Sequence, residues 1–274
     1  MISSIYHFFK DLCLKKDALK AIGKLDEFPF DENLFSCKRV GQFPDLAIKI
    51  CKTDELFIGG ELIELKDSKS YTVSSFNSTI PTGKKDIRKV FKSETSDVFK
   101  QMIKAGDDVF SLLERDVFYL IRGRKDENCK ITLVHGSFFE TVKVNELITK
   151  SFSQVLEERL EQSNLEIDDK TKSLLETIFS EQESFSKVRN VEKASVKLRF
   201  RIMTEVKTEG NILNEKKYPQ IIDNTLNFVL PSHSADDDRL NFDKMELVFG
   251  GREFESFHIK HYFNGNFLVF QVKL

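Results

Sequence analysis

The spacing of apolar residues predicts helices and strands in alternation along the first 140 residues. Apolar positions that recur every three or four residues indicate amphipathic helices, and apolar positions that alternate with polar ones indicate half-buried strands. By these patterns we predict, in chain order, a helix over 1–22, strands over 46–51 and 56–66 joined as a β-hairpin, a strand and loop over 67–83, one long helix over 85–114, and strands over 117–121 and 130–135.

The remaining residues predict two helices and a β-rich tail. We expect helices over 143–162 and 169–187, an exposed loop at 236–238, and strands over 195–206, 225–230, 245–249 and 253–274. This order indicates the α/β class, with a mixed central sheet flanked by helices and a C-terminal helical and β-rich region. We place a domain boundary near residue 150, which gives regions 1–150 and 151–274; one continuous domain is the alternative.

Composition excludes several classes of protein. The 274 residues are 40% hydrophobic and 31% charged, which is typical of a folded globular chain and not of a disordered one. The formal charge of −2 excludes a wholly basic, histone-like protein but leaves room for local basic surfaces. No apolar run approaches the roughly 20 residues that span a bilayer. The spacing of the four cysteines fits neither a disulfide framework nor a zinc site, which favours reduced thiols in a cytoplasmic protein.

The predicted hairpin carries the residues with the clearest chemical pattern. Glu64 and Lys66 are two apart on the second strand, so they project from one face while Ile63 and Leu65 project from the other. Asp45 begins the partner strand, and hairpin pairing can bring its carboxylate near Glu64. Two convergent carboxylates suit Mg²⁺, and a neighbouring lysine can orient a water molecule and offset charge on a phosphate. Hydrolysis of a phosphodiester needs these groups.

Pro44-Asp45 followed, after residues 46–63, by Glu64-Leu65-Lys66 resembles the motif of the PD-(D/E)xK nuclease superfamily, and the chain is most similar to its type II restriction endonucleases. The resemblance covers about residues 1–140. It implies a restriction-endonuclease-like core that uses Mg²⁺ to cut double-stranded DNA at a specific short sequence. Asp45 and Glu64 would be metal ligands and Lys66 the catalytic lysine.

The same resemblance implies further partners and leaves one ligand open. It implies a homodimer and a cognate DNA methyltransferase that protects host DNA without binding the enzyme. Region 1–150 would be the catalytic core and region 151–274 would serve recognition and dimerisation. A third acidic ligand would come from the N-terminal region, where Asp26, Glu27 and Asp31 are candidates. The alternatives are a structure-specific or repair nuclease with the same centre, and a non-catalytic DNA-binding or interaction module.

Two polar and basic segments are candidates for DNA contact. Basic side chains at the start of a helix oppose its dipole, and phosphate groups would offset that cost. In the second segment basic residues alternate with apolar ones, so one strand face would be wholly basic. The candidate DNA-binding residues are Lys69, Ser75, Asn77, Lys84, Lys85 and Arg88 in the first segment and Lys197, Arg199 and Arg201 in the second. Ordinary solvated faces are the alternative for both segments.

Overall fold

The computed structural model describes residues 43–274 except 54, 74, 78–79, 92–96, 141–143, 181–188, 194–195, 200–202 and 252. The predicted first helix, the candidate acidic residues Asp26, Glu27 and Asp31, and Arg201 all lie outside the described residues. The chain forms two compact units. The first comprises the described parts of Met1–Ser74, Thr82–Glu140 and Val206–Leu274, and the second those of Ser75–Pro81 and Thr141–Glu205.

The described residues form twelve strands and five α-helices, numbered here in chain order. They are β1 (Leu46–Ala47), β2 (Leu62–Ser68), β3 (Ser75–Asn77), β4 (Lys84–Asp86), α1 (Ile87–Val90), α2 (Asp97–Lys104), β5 (Glu114–Lys125), β6 (Asn128–His135), α3 (Val144–Ser163), α4 (Asp169–Ser180), β7 (Arg189–Lys193), β8 (Val196–Arg199), β9 (Met203–Glu205), β10 (Thr225–Pro231), α5 (Ala235–Phe249), β11 (Glu255–His261) and β12 (Gly265–Lys273). None of these helices is long and apolar enough to cross a membrane.

A mixed sheet organises the first unit. Its strand order among the described residues is β1-β2-β5-β6-β10-β12-β11, and β4 pairs with the start of β5. The β2–β5 and β6–β10 pairs are parallel and the other pairs are antiparallel. The sheet confirms the α/β class. Its strands β10, β11 and β12 come from beyond the boundary predicted near residue 150, because the second unit is an insertion after β6 and not the C-terminal part of the chain.

One face of the sheet carries a large apolar core. Ile63 lies in this core, and Leu65 packs against it. Phe118 on β5 and Phe228 on β10 extend the same cluster across the sheet, where α5 covers it with Met245 and neighbouring apolar residues. Because side chains alternate along a strand, Glu64 and Lys66 lie on the other face. The alternation predicted for the second hairpin strand is therefore confirmed.

A tight backbone passage connects β1 to β2. The N–H of Ile48 donates to the carbonyl of Glu61 at 2.8 Å, and the N–H of Gly60 donates to the carbonyl of Ile48 at 3.1 Å. Gly59 has φ +77°, and a Cβ there would lie 2.3 Å from the carbonyl oxygen of Lys49. Only glycine fits this close approach. The antiparallel pairing of β1 with β2 confirms the predicted hairpin, although β1 ends at Ala47 and β2 begins at Leu62.

The single helix predicted over 85–114 is wrong. Lys84–Asp86 is a strand whose residues pair with Glu114–Asp116. The Asp86 side chain then accepts a hydrogen bond from the Arg88 N–H and caps the short helix α1. A left-handed Gly106 follows the end of α2. The apolar residues that suggested one helix lie instead on two short helices and a loop, where Ile87, Val98 and Met102 are buried.

The strand predicted at 245–249 and the loop at 236–238 are both wrong, since these residues form the two ends of α5. Ser234 precedes the helix, and its hydroxyl accepts a hydrogen bond from the Asp237 N–H at 3.1 Å. The acidic run Asp236–Asp238 occupies the first turn, where negative charge interacts favourably with the helix dipole. The predicted hairpin β5–β6, the helices α3 and α4, and strand β10 are confirmed. The range 253–274, predicted as strand, is confirmed as β structure but forms two strands, β11 and β12.

The second unit contains α3, α4 and two small sheets. Lys172 on α4 forms an ion pair with Glu157 on α3, with 2.6 Å between the Lys172 Nζ and the Glu157 Oε1. Antiparallel pairing joins β3 to β9 and β7 to β8. The candidates Ser75 and Asn77 lie on β3, and Lys197 and Arg199 lie on β8.

Candidate functional site

The Asp45 carboxylate is anchored to the backbone of β2. Asp45 is 7% exposed, and its Oδ2 accepts a hydrogen bond from the Leu65 N–H at 2.8 Å. Its own N–H donates to the carbonyl of Ile63 at 3.0 Å. Leu46 pairs with Ile63, so Asp45 lies one step along, opposite Glu64. The carboxylate is therefore held at the residue that separates Glu64 from Lys66.

Glu64 and Lys66 form an ion pair beside this carboxylate. The Lys66 Nζ lies 3.6 Å from the Glu64 Oε1, and the two side chains are 24% and 15% exposed. They project from the sheet face opposite the apolar core, as their spacing predicted. The structure thus gathers the three predicted side chains around one short stretch of β2, partly shielded from water, where charges interact more strongly than on an open surface.

Tyr119 adds a neighbour that the sequence did not reveal. It lies opposite Glu64 in the parallel β2–β5 register and is 1% exposed. The Phe139 ring packs edge-on against it with 5.3 Å between centroids. Burial, followed by the negative charge of Glu64, raises the pKa of the Tyr119 phenol above its ordinary value. In the sequence, the only indication of this neighbour is a tyrosine within an apolar predicted strand. The strand register that places Tyr119 beside Glu64 depends on residues far apart in the chain.

Raised tyrosine pKa values predict a loss of stability in alkali. Burial is the largest cause for Tyr71, Tyr119 and Tyr218, whose pKa values are all raised above 10.0. Above pH 10 the unfolded chain loses these protons first, so each tyrosine lowers the free energy of unfolding by up to about 1.4 kcal/mol per pH unit. Below pH 10 this contribution to stability is fully present.

Denaturant unfolding at pH 8, 10 and 11 measures this dependence, and absorbance at 295 nm follows phenol ionisation. We expect Tyr119→Phe to flatten the fall in stability above pH 10. Tyr262→Phe is the control, since that side chain is 72% exposed. Equal slopes for wild type and Tyr119→Phe would contradict the prediction.

The next residue along β2, Asp67, belongs to a separate network on the other face of the sheet. It accepts hydrogen bonds from Arg122 Nε at 2.7 Å and Arg124 Nη2 at 2.9 Å. Burial acts to raise the pKa of Asp67, but its hydrogen bonds and charge interactions with both arginines outweigh burial and lower it. Asp67 is therefore already satisfied as a structural carboxylate, which makes it a natural control for Asp45.

One of the candidate DNA-binding lysines, Lys85, lies near the residues that lead into Asp45. Lys84 and Lys85 are on β4, which corrects their predicted place in a helix, and Arg88 follows in α1. The Lys85 Nζ lies 5.5 Å from the centroid of the Phe43 ring, two residues before Asp45. This contact brings Lys85 near the chain that leads into Asp45, whereas the Lys84 Nζ lies 3.9 Å from the Asp116 Oδ1. Lys69 is exposed just beyond the end of β2.

The donor set at this site fits Mg²⁺. In the described part of the chain, no group of three or more histidine, cysteine, aspartate or glutamate side chains is arranged to hold a metal. Asp45 and Glu64 offer two carboxylates, and Mg²⁺ is commonly bound by one or two carboxylates together with waters and substrate phosphate oxygens. The two acidic side chains meet this need without further protein ligands.

Comparison with known proteins returned no match: no family model, no curated protein and no solved structure resembles the chain. The geometry around Asp45, Glu64 and Lys66 therefore carries the functional conclusion.

Proposed function

We propose that this protein is a Mg²⁺-dependent endonuclease that hydrolyses phosphodiester bonds of double-stranded DNA at a specific short sequence, as type II restriction enzymes do. The observation that supports this most directly is the hydrogen bond from the Leu65 N–H to the Asp45 carboxylate, between Glu64 and Lys66. It holds the Asp45 carboxylate against the strand that carries Glu64 and Lys66, and metal-assisted phosphodiester hydrolysis needs acidic groups and an ammonium group close together.

Asp45 and Glu64 would hold the metal, and Lys66 would act on the reacting groups. The bound ion supplies Lewis acidity, which makes water a better nucleophile and offsets charge on the phosphate. Lys66 orients the attacking water and stabilises the charge that develops on the phosphate oxygens. The Glu64 carboxylate lies 3.6 Å from the Lys66 Nζ and directs the amine into the site.

The basic segment near Asp45 supplies affinity for the DNA backbone. Lys84, Lys85 and Arg88 are arranged along β4 and α1, and Lys85 contacts Phe43 beside the site. Positive side chains bind DNA through phosphates with little regard to sequence, so this segment would position the duplex, and sequence readout would come from other residues. Lys197 and Arg199, which lie on β8, remain predicted DNA-contact residues. We propose a homodimer on palindromic sites for the same enzyme, because two-fold symmetry in the protein matches that of the DNA.

Incubation of the purified protein with phage DNA, in Mg²⁺ and in EDTA, tests the proposal. We expect discrete fragments in Mg²⁺, none in EDTA, and none from Glu64→Gln, which retains shape but loses the charge. A smear, or cutting only at branched DNA, would instead support a structure-specific repair nuclease with the same centre. DNA binding without cleavage under any metal would overturn the proposal in favour of a non-catalytic module.

A further inference from the structure

A second cluster of chemically active side chains lies on the core-bearing face of the sheet, opposite to the face of Glu64 and Lys66. His135 ends β6 in register with Phe118, and Asp116 lies two residues before Phe118 on β5. Ser137 follows in the short 3₁₀ turn Gly136–Phe139. A serine, an imidazole and a carboxylate therefore meet where β5 begins and β6 ends.

The geometry of these residues assigns the donor and the acceptor of each hydrogen bond among them. The Ser137 Oγ lies 2.7 Å from the His135 Nδ1, and the His135 Nε2 lies 3.5 Å from the Asp116 Oδ1. The Ser137 backbone N–H, which can only donate, also points at Nδ1 at 3.4 Å. Nδ1 is therefore the acceptor in the neutral ring, Nε2 carries the proton that faces Asp116, and the Ser137 hydroxyl donates to Nδ1.

Packing holds the imidazole in this orientation. The His135 side chain is 10% exposed, and the Phe118 ring packs edge-on against it at 5.0 Å. The backbone at Gly83 passes so close that an added Cβ would lie 3.0 Å from the His135 Cε1 and 3.1 Å from the Ser137 Cβ. Ser137 itself keeps partial exposure, so a reagent can reach its hydroxyl while the ring behind it stays fixed.

A cation completes the cluster. The Lys84 Nζ lies 3.9 Å from the Asp116 Oδ1, and both side chains are largely solvated. Burial acts to raise the pKa of Asp116, but its hydrogen bond with His135, the positive charge of that ring when protonated, and the charge of Lys84 lower it overall. The carboxylate is thus ionised at neutral pH, beside the imidazole that it would stabilise as a cation.

We infer that Ser137, His135 and Asp116 form a nucleophilic serine site for small esters, preferably those with a negative group that Lys84 can contact. The Ser137 Oγ attacks the carbonyl carbon of the ester as its proton passes to the His135 Nδ1. Asp116 stabilises the imidazolium through the Nε2–H. The bond to the leaving alkoxide breaks, the alkoxide takes the proton from Nδ1, and an acylated Ser137 remains. Water, deprotonated by the same nitrogen, then releases the carboxylic acid and restores the serine.

The chain contains a contrasting set with the same three residue types in a different order. Ser232 donates to the Asp238 Oδ2 at 2.8 Å, and the His258 Nε2 lies 2.8 Å from the same oxygen. Here the serine contacts the carboxylate and not the imidazole, so the histidine cannot take its proton. Ser232 is therefore a matched control for Ser137.

Labelling with a fluorophosphonate probe, followed by peptide mass spectrometry, tests the site, and release of p-nitrophenol from p-nitrophenyl acetate gives a rate. We expect one label per chain at Ser137, none on Ser137→Ala, and unchanged labelling of Ser232→Ala. Asp116→Asn should lower the labelling rate by roughly tenfold or more, since it removes the charge that stabilises the imidazolium formed when His135 takes the serine proton.

Circular dichroism confirms that each variant is folded before labelling is compared. The inference is overturned if folded wild type takes no label, if Ser137→Ala is labelled like wild type, or if Asp116→Asn reacts at the wild-type rate. DNA cleavage does not enter this test, so the serine site and the nuclease proposal stand or fall separately.

Discussion

If the protein is the proposed nuclease, we expect Asp45→Asn to lose most of its DNA cleavage while it stays folded and still binds DNA. Asparagine keeps the size of the side chain, and its carbonyl oxygen can still accept the hydrogen bond from the Leu65 N–H. It carries no negative charge, so the site loses half of its carboxylates. We expect the single-turnover rate in Mg²⁺ to fall on the order of 10²–10³-fold, the cost of removing one electrostatic group from a preorganised site.

Lys66→Met tests the other charge with the same logic. Methionine retains much of the apolar stem of lysine but removes the ammonium group that pairs with Glu64. We expect a rate loss of about the same size, on the order of 10²–10³-fold, with little change in DNA affinity, since one ammonium group at the cutting site contributes little to total phosphate binding.

Two variants provide matched controls for these losses. Asp67→Asn removes the neighbouring carboxylate of β2, which lies on the other face and contacts Arg122 and Arg124. Lys52→Met removes an exposed lysine that pairs with Asp108. Both should cut at nearly the wild-type rate. Cleavage retained by Asp45→Asn and Lys66→Met, or lost equally in the Asp67→Asn control, would contradict the assignment of the site.

Local patterns in the sequence were sufficient to locate the three candidate side chains. Strand alternation put Glu64 and Lys66 on one face and Ile63 on the other, and a short hairpin brought Asp45 to them. Each of these steps depends on residues fewer than about 20 positions apart, where the strand period and one turn fix the geometry.

Pairing between strands far apart in the chain determines the neighbours that the sequence pattern could not reveal. Tyr119 lies beside Glu64 only because β5 aligns in parallel with β2, and Asp116 meets His135 only through the β5–β6 register. The predicted helix over 85–114 was wrong because Lys84–Asp86 pairs with the start of β5, a tertiary contact that overrides the helical spacing of the apolar residues after it. Helical and strand patterns also overlap for short apolar runs such as 245–249.

Arg115→Met unfolds the first unit at a much lower temperature than wild type. The Arg115 side chain is fully buried and the Asp107 side chain is 2% exposed, with 3.0 Å between Arg115 Nη1 and Asp107 Oδ2. Arg115 Nη2 also donates to the carbonyl of Val109 at 2.8 Å. Without the guanidinium, a buried carboxylate and a buried carbonyl lose their partner. Breaking such a pair costs about 3–5 kcal/mol, which corresponds to a fall in Tm of roughly 6–20 °C for a unit of this size.

The Arg115–Asp107 pair also links the loop after α2 to the hairpin that carries Asp45. Asp107 Oδ1 accepts a hydrogen bond from the Ile50 N–H at 3.3 Å, so loss of Arg115 weakens a contact with the segment between β1 and β2. Scanning calorimetry on wild type, Arg115→Met and the double variant Asp107→Leu/Arg115→Met separates the loss of the ion pair from the cost of an unpaired buried carboxylate. The double variant should recover part of the lost Tm, because it leaves no unpaired charge in the interior. Lys52→Met, which breaks an exposed ion pair, should cost about 1 kcal/mol or less. An Arg115→Met transition within a degree or two of that control would show that the buried pair does not stabilise the fold.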